Sequence, residues 1–110
     1  MERFVKGDLV VVPFPFSNLS GSKKRPALVL ADLIGEDIIL YQIISQGIKD
    51  QHAVVLPESE IIRGRLKKES NIRPNRIFTA EKSIISYKIG GISESKFKEV
   101  RNKIVHLLDQ

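Results

Sequence analysis

The sequence predicts a mainly-β domain: a small, curled antiparallel barrel carrying one α-helix at its C-terminal end. Three observations predict it. Short runs of aliphatic and β-branched residues follow one another at strand length, separated by clusters of Gly, Asn, Ser and Pro. A 3.6-residue apolar stripe is found only in the last segment, beyond Ile92. The chain has 110 residues, enough for one core and too few for two, so one domain over residues 1–110 is expected.

The first run, GDLVVVPFPF, predicts a strand from Leu9 to about Pro13, entered through a turn at Gly7–Asp8. Pro13 and Pro15 remove ladder donors, so the strand must end or lie at an edge there. SNLSGSKKR is a loop by composition, and PALVLAD is an apolar run of strand length. After the turn IGED, the run IILYQIISQ predicts another strand, and HAVVLP one more, closed by Pro57. ESEIIRGRL predicts a single helical turn before Gly64. In KKESNIRPNRIFT, Ile72, Ile77 and Phe78 predict a strand broken around Arg73–Pro74–Asn75. KSIISYKIGGI predicts a short strand ending at Gly90–Gly91. The helix follows, with Ser93 as N-cap and Ile92 and Phe97 at hydrophobic-staple spacing. Phe97, Val100, Ile104, Leu107 and Leu108 form its stripe, with Lys98, Arg101 and Asp109 on other faces. Leu28, Leu30, Ile39, Val54 and Phe97 are expected in the core.

Composition narrows the function. Apolar content of 42% and charged content of 28% are those of a globular domain. The absence of cysteine excludes a disulfide framework, a thiolate nucleophile and a cysteine zinc site, and it fits a reducing compartment. MERFVKGD has no apolar h-region and no run reaches 18 apolar residues, so neither a signal peptide nor a membrane span is expected. The net charge of +5 suits either an anionic partner, nucleic acid or acidic protein, or simple solubility.

Metal chemistry has little support. His52 and His106 are far apart, and no His/Asp/Glu group has ligand spacing. His52 is a surface turn residue or, less commonly for such a position, a general base. His106 reads as a solvated or capping helix residue. There is no nucleophile elbow and no phosphate-binding glycine loop. What remains is arginine. Arg25 directly precedes Pro26 at a loop–strand junction, and its planar, permanently charged fork suits phosphate. A second basic stretch holds Arg63, Arg65, Lys67, Lys68, Arg73 and Arg76, with Glu69 as its only acid. Phe16, Phe78 and Tyr87 are candidates for stacking on bases, although each alone is commoner as a core residue.

The ordered series GDLVVVPFPFSNLSGSKKRPALVLA, IISQ, LKKESNIRPNRIFTAEKSII and KIGGIS closely resembles the MazF/PemK-like toxins of type II toxin–antitoxin systems. The resemblance covers nearly the whole chain. It implies an SH3-like barrel, a homodimer and a cytoplasmic, growth-inhibiting endoribonuclease that cuts single-stranded RNA (mRNA) at short sequences without metal or other cofactor. It further implies a cognate antitoxin that lays an acidic, disordered segment along the RNA groove. The family's catalytic arginine falls on Arg25. The implied chemistry is attack by the RNA 2′-hydroxyl on the adjacent phosphate, with Arg25 offsetting the phosphorane charge. Ser45 is carried over as catalytic, and Phe16, Lys23, Lys24, Gln46, Arg73 and Arg76 as RNA-binding.

Two departures bear on this. Where the family carries threonine before a small residue and Gln, this chain has Ile43–Ile44–Ser45–Gln46, so Ile44 stands at the threonine position. Strand neighbours point to opposite faces, so Ser45 replaces that hydroxyl only if the strand bulges or ends there; otherwise it is a hydroxyl bonded to local backbone. In RPNRIFTAEK, Arg76 and Phe78 flank Ile77 where some members have Gln and Arg. A second reading therefore stays open: a catalytically weakened member that acts as an RNA- or antitoxin-binding dimer. A third, a gyrase-poisoning toxin of related fold, sits less well with the Arg-Pro motif.

Overall fold

Residues 3–14, 23–44, 54–64 and 70–109 are described by a computed structural model of the chain; Phe14, Lys23, Ile44 and residues 70–76 are described by their backbone. Seven strands are followed by one helix: β1 (Asp8–Phe14), β2 (Lys23–Asp32), β3 (Asp37–Ile44), β4 (Val54–Leu56), β5 (Ile61–Ile62), β6 (Ser70–Glu81), β7 (Tyr87–Ile92) and α1 (Glu94–Leu108). The helical turn expected in ESEIIRGRL is a 3₁₀ turn at Glu58–Glu60, and a second lies at Lys82–Ile84.

The strands form one sheet of order β4-β6-β3-β2-β1-β7-β5, with every pair antiparallel. The barrel expectation is corrected here: the sheet curls, but among the described residues no ladder joins β4 to β5, so it does not close. The reason for the curl is geometric. Seven flat strands would hold the two edges about 29 Å apart at ~4.8 Å per gap. Leu56 and Ile61, however, are separated by only five chain steps, about 18 Å fully extended. The edges must therefore bend towards each other. Leu56 of β4 and Ile61 of β5 accordingly share one apolar cluster.

Curling buries the central strands on both faces. On the first, Leu9, Leu28, Tyr41, Ile43 and Leu56 pack with Ile92 and with Val100 of α1. On the second, Val10, Val12, Ala27, Val29, Ile38 and Leu40 pack beneath Phe4, Ile84 and Ile85. Strands β1, β2 and β3 thus alternate between two cores, which explains why their sequences read as unbroken apolar runs. Of the expected core, Leu28 and Val54 are buried, and Leu30 and Phe97 pack partly buried against the first cluster. Ile39 is half-buried outside both, past the irregularity that shifts the β2–β3 register at Leu30.

Ser93 caps α1 as its sequence predicts: its Oγ accepts from the Lys96 N–H at 3.2 Å. The same hydroxyl donates to Glu60 Oε2, and the Ser93 N–H donates to the Glu60 carbonyl at 2.9 Å, tying the helix start to the first 3₁₀ turn. Val100 is the buried centre of the helix stripe, and Leu108 at its end is exposed. No described helix is long and apolar enough to cross a membrane.

Candidate functional site

The β1–β2 ladder organises the charges. At one end, Gly7 adopts φ +92°, the left-handed region that favours glycine, and delivers Asp8 into the sheet with no exposed surface. A buried carboxylate is costly unless paired and hydrogen-bonded. Asp8 Oδ2 accepts from the Val5 N–H at 2.9 Å and meets Lys88 Nζ at 3.2 Å, while Oδ1 lies 3.4 Å from Arg63 Nη2. Lys88 also donates to the Arg3 carbonyl and sits 5.6 Å from the Phe4 ring centroid. Gly64 crosses β7 so tightly that a Cβ there would lie 1.9 Å from the Ile89 carbonyl oxygen. The Gly-Asp dipeptide is therefore an anchor for the N-terminal segment and for β5, a role its reading as a simple turn misses. Lys82 does similar work at the β2–β3 turn, meeting Asp32 Oδ1 at 2.6 Å and the carbonyls of Leu33 and Gly35 at 3.2 and 2.8 Å.

At the other end the register pairs Val12 with Arg25, Pro13 with Lys24 and Phe14 with Lys23. β7 pairs with β1 only as far as Val11, so Pro13 costs no ladder bond on that side. Arg25 is exposed, and no hydrogen bond or ion pair among the described residues engages its guanidinium. Alternation sets Arg25 on the face of Val12 and Ala27 and sets Lys24 on the opposite face, beside the half-exposed Tyr87, whose ring centroid lies 6.0 Å from Lys24 Nζ. Arg25 and Lys24, adjacent in sequence, are thus parted by the sheet.

Two further strands bring polar groups to the Arg25 end. Gln42 of β3 pairs with Ala27, two residues from Arg25 on the same face. It is half-buried, and its amide has no partner among the described residues. Continuing this register outward sets Ile44 opposite Arg25. Across β3, Tyr41 pairs with Ile77 and Ile43 with Ile72, so residues 73–76 of β6 span a single position, that of Gln42. This is the break expected at Arg73–Pro74–Asn75, and it places Arg73 and Arg76 in a bulge one strand beyond Gln42. Phe78, re-entering the ladder opposite Leu40, packs partly buried against the second core, as an aromatic there more often does. Phe16, Ser45, Gln46 and His52 lie outside the described residues. His106 is exposed near the end of α1, and its carbonyl accepts from the Asp109 N–H.

Tyr41 faces the first core with its hydroxyl buried and without a partner among the described residues, and burial pushes that hydroxyl's pKa well above its ordinary value. Among the described residues no cluster of three His, Asp or Glu side chains has the geometry of a metal site.

The fold and these charges define a class: a small, basic, mainly-β protein with an open curled sheet, a terminal helix and, near the start of β2, an exposed arginine with no ion pair among the described residues. Sequence comparison is more specific. The family described as PemK-like, MazF-like toxin of type II toxin–antitoxin system matches residues 5–108. The chain belongs to that family. No protein of curated description matches it in sequence. Among solved structures it resembles MazF within a MazE–MazF complex from Deinococcus radiodurans, with TM-score 0.80 at 20% identity over 100% of this chain and 99% of that one. It also resembles MazF alone from the same organism, with TM-score 0.76 at 20% identity over the whole of both chains. An endoribonuclease in complex with its cognate antitoxin, from a mycobacterial species, gives TM-score 0.74 at 12% identity over 99% and 96% of the two chains. At these identities the likeness is one of fold.

Proposed function

We propose that this chain is a toxin endoribonuclease that cleaves single-stranded RNA at short sequences without metal, acting in the cytoplasm as a growth-inhibiting homodimer held in check by a cognate antitoxin. The observation that carries the reading is Arg25: exposed, free of ion pairs among the described residues, and held as the third residue of β2 opposite Val12, in a chain of this toxin family. The endoribonuclease and antitoxin-complex names of its structural neighbours support the same reading.

In the proposed reaction the RNA 2′-hydroxyl loses its proton and its oxygen bonds to the adjacent phosphorus. The bond from phosphorus to the 5′-oxygen breaks, and that oxygen takes up a proton. The products are a 2′,3′-cyclic phosphate and a 5′-hydroxyl. Arg25 offsets the charge that builds on the non-bridging oxygens, the kind of fixed electrostatic help that counts most in catalysis. DNA lacks the nucleophile and stays uncut. Lys23, Lys24, Arg73 and Arg76 contribute phosphate contacts, Lys24 from the face opposite Arg25, and Phe16 and Gln46 contact RNA. An acidic, disordered antitoxin segment would compete for these cations.

Incubation of the protein with a long single-stranded RNA in EDTA tests this, beside Arg25→Ala. Discrete cuts with 5′-hydroxyl ends, lost in the variant, are expected. Ile44, at the register position opposite Arg25, favours one second reading: a binding dimer of weakened activity. Intact RNA with a folded wild-type protein would select it.

A further inference from the structure

We infer that Gln42 is the second substrate-contacting group of the site, donating an amide N–H to a non-bridging oxygen of the phosphate held by Arg25. The inference rests on the ribonuclease reading above and adds a residue to it.

Four observations lead to Gln42. The first is placement. It pairs with Ala27 in the β2–β3 ladder, and Arg25 is two residues from Ala27 on the same face. Such diagonal neighbours have Cα atoms about 7–8 Å apart, within reach of two long side chains converging on one phosphate. The second is chemistry. Arg25 has no acceptor and Gln42 has two amide donors, so both suit an anion. The third is that the amide is uncommitted. Gln42 is only half-buried, its amide has no partner among the described residues, and it is absent from the buried, unpaired polar atoms, so it reaches solvent. An amide on a face otherwise filled by Val10, Val12, Ala27 and Leu40 contributes nothing to that apolar packing.

The fourth is the frame around it. β6 leaves the ladder at this one position, since residues 73–76 lie between the partners of Ile43 and Tyr41. The bulge sets four β6 residues at the place where a regular ladder would have one. Gln42 is left between the Arg25 strand on one side and the segment carrying Arg73 and Arg76 on the other. Ile44 brings no hydroxyl to the position opposite Arg25. Gln42 lies one pleat back on the same strand and supplies a neutral donor instead. An amide does not take a proton at neutral pH, so Gln42 stabilises charge and leaves proton transfer to other groups or to solvent water.

The test is single-turnover cleavage of one RNA by wild type, Gln42→Met, Gln42→Glu and Arg25→Ala, each checked for folding by circular dichroism and a thermal melt. Gln42→Met keeps the stem and volume and removes the amide, so it is expected to fold. Its cleavage rate should fall about 10²-fold at saturating RNA, as for loss of one preorganised donor, with RNA affinity within about threefold. Gln42→Glu should fall further, because its carboxylate faces the phosphate. Adding Ile44→Thr to Gln42→Met should recover at least tenfold by restoring a hydroxyl opposite Arg25. Wild-type cleavage by a folded Gln42→Met would overturn the inference while Arg25→Ala stays inactive and the ribonuclease reading stands. Equal rates for Gln42→Met and Gln42→Glu at undiminished binding would also overturn the donor role. An inactive wild type would overturn the ribonuclease reading itself, and this inference with it.

Discussion

The two ends of the β1–β2 ladder each carry a charged side chain and treat it differently. At the Asp8 end the carboxylate is sealed and meets Lys88, Arg63 and the Val5 N–H. At the Arg25 end the guanidinium is exposed, Gln42 lies diagonally across on β3, and neither side chain has a polar partner among the described residues. A paired, buried charge fastens the chain, and its removal leaves partners stranded in a poor solvent. An unpaired, exposed charge contributes little to stability and stays available to a ligand. Within one hairpin, anchoring and function are therefore separated by some four to six residues of strand.

The largest expected effect breaks that comparison directly. Arg25→Ala should lower RNA cleavage by about 10³-fold or more, since an arginine at a transferring phosphate carries that scale of effect. Its unfolding free energy from urea denaturation should stay within about 0.5 kcal/mol of wild type. Marked unfolding would show that Arg25 is structural after all. Next, Asp8→Ala should cost about 2–3 kcal/mol in the same denaturation experiment, because it removes the acceptor of the Val5 N–H and leaves Lys88 facing an apolar site. Cleavage per folded molecule should change less than twofold; a large loss would extend the functional end of the ladder to Asp8.

A smaller effect belongs to the helix start. Ser93→Ala should cost about 1 kcal/mol, read as a lowered melting temperature, through loss of the cap to the Lys96 N–H and of the bond to Glu60. The smallest has the opposite sign. Tyr41 is unpaired like Arg25, but its hydroxyl is buried, so the group is a cost instead of a resource. Tyr41→Phe should stabilise the protein by up to about 1 kcal/mol. The pH dependence follows from the sign of the shift. Burial raises the folded-state pKa above the unfolded value of about 10, so the unfolded chain releases this proton first as pH rises. The Tyr41 contribution is complete below that value and is lost above it. Wild type should weaken more steeply than Tyr41→Phe beyond about pH 10. Parallel curves would mean that the hydroxyl finds a partner.

Much of this was legible in the residues. Periodicity located the strands and the helix because burial leaves its period in the side chains, and Ser93, Ile92 and Phe97 marked the helix start by chemistry that is local to them. Arg25 suited a phosphate by its chemistry, and the ordered family resemblance singled it out as the candidate catalytic group. Other features were out of reach. Asp8 read as a turn residue, since its partners Arg63 and Lys88 lie 55 and 80 positions away. Gln42 read as an ordinary strand residue. Its significance depends on the pairing to Ala27 and on the bulge of residues 73–76, and neither is a property of its own neighbourhood in sequence.

The sequence by itself determined the mainly-β class, the order of the elements, the terminal helix with its cap, and the arginine on which the chemistry is proposed to turn. The first three follow from local rules of side-chain period, turn chemistry and capping, and the arginine from the family resemblance that the ordered motifs carry. Only the tertiary structure decided that the sheet stays open while curling, that Lys24 and Arg25 face opposite ways, and that Gln42 lies near Arg25. Those depend on strand register, and register is settled by contacts between residues far apart in the chain, where a shift of one position would turn each side chain to the other face.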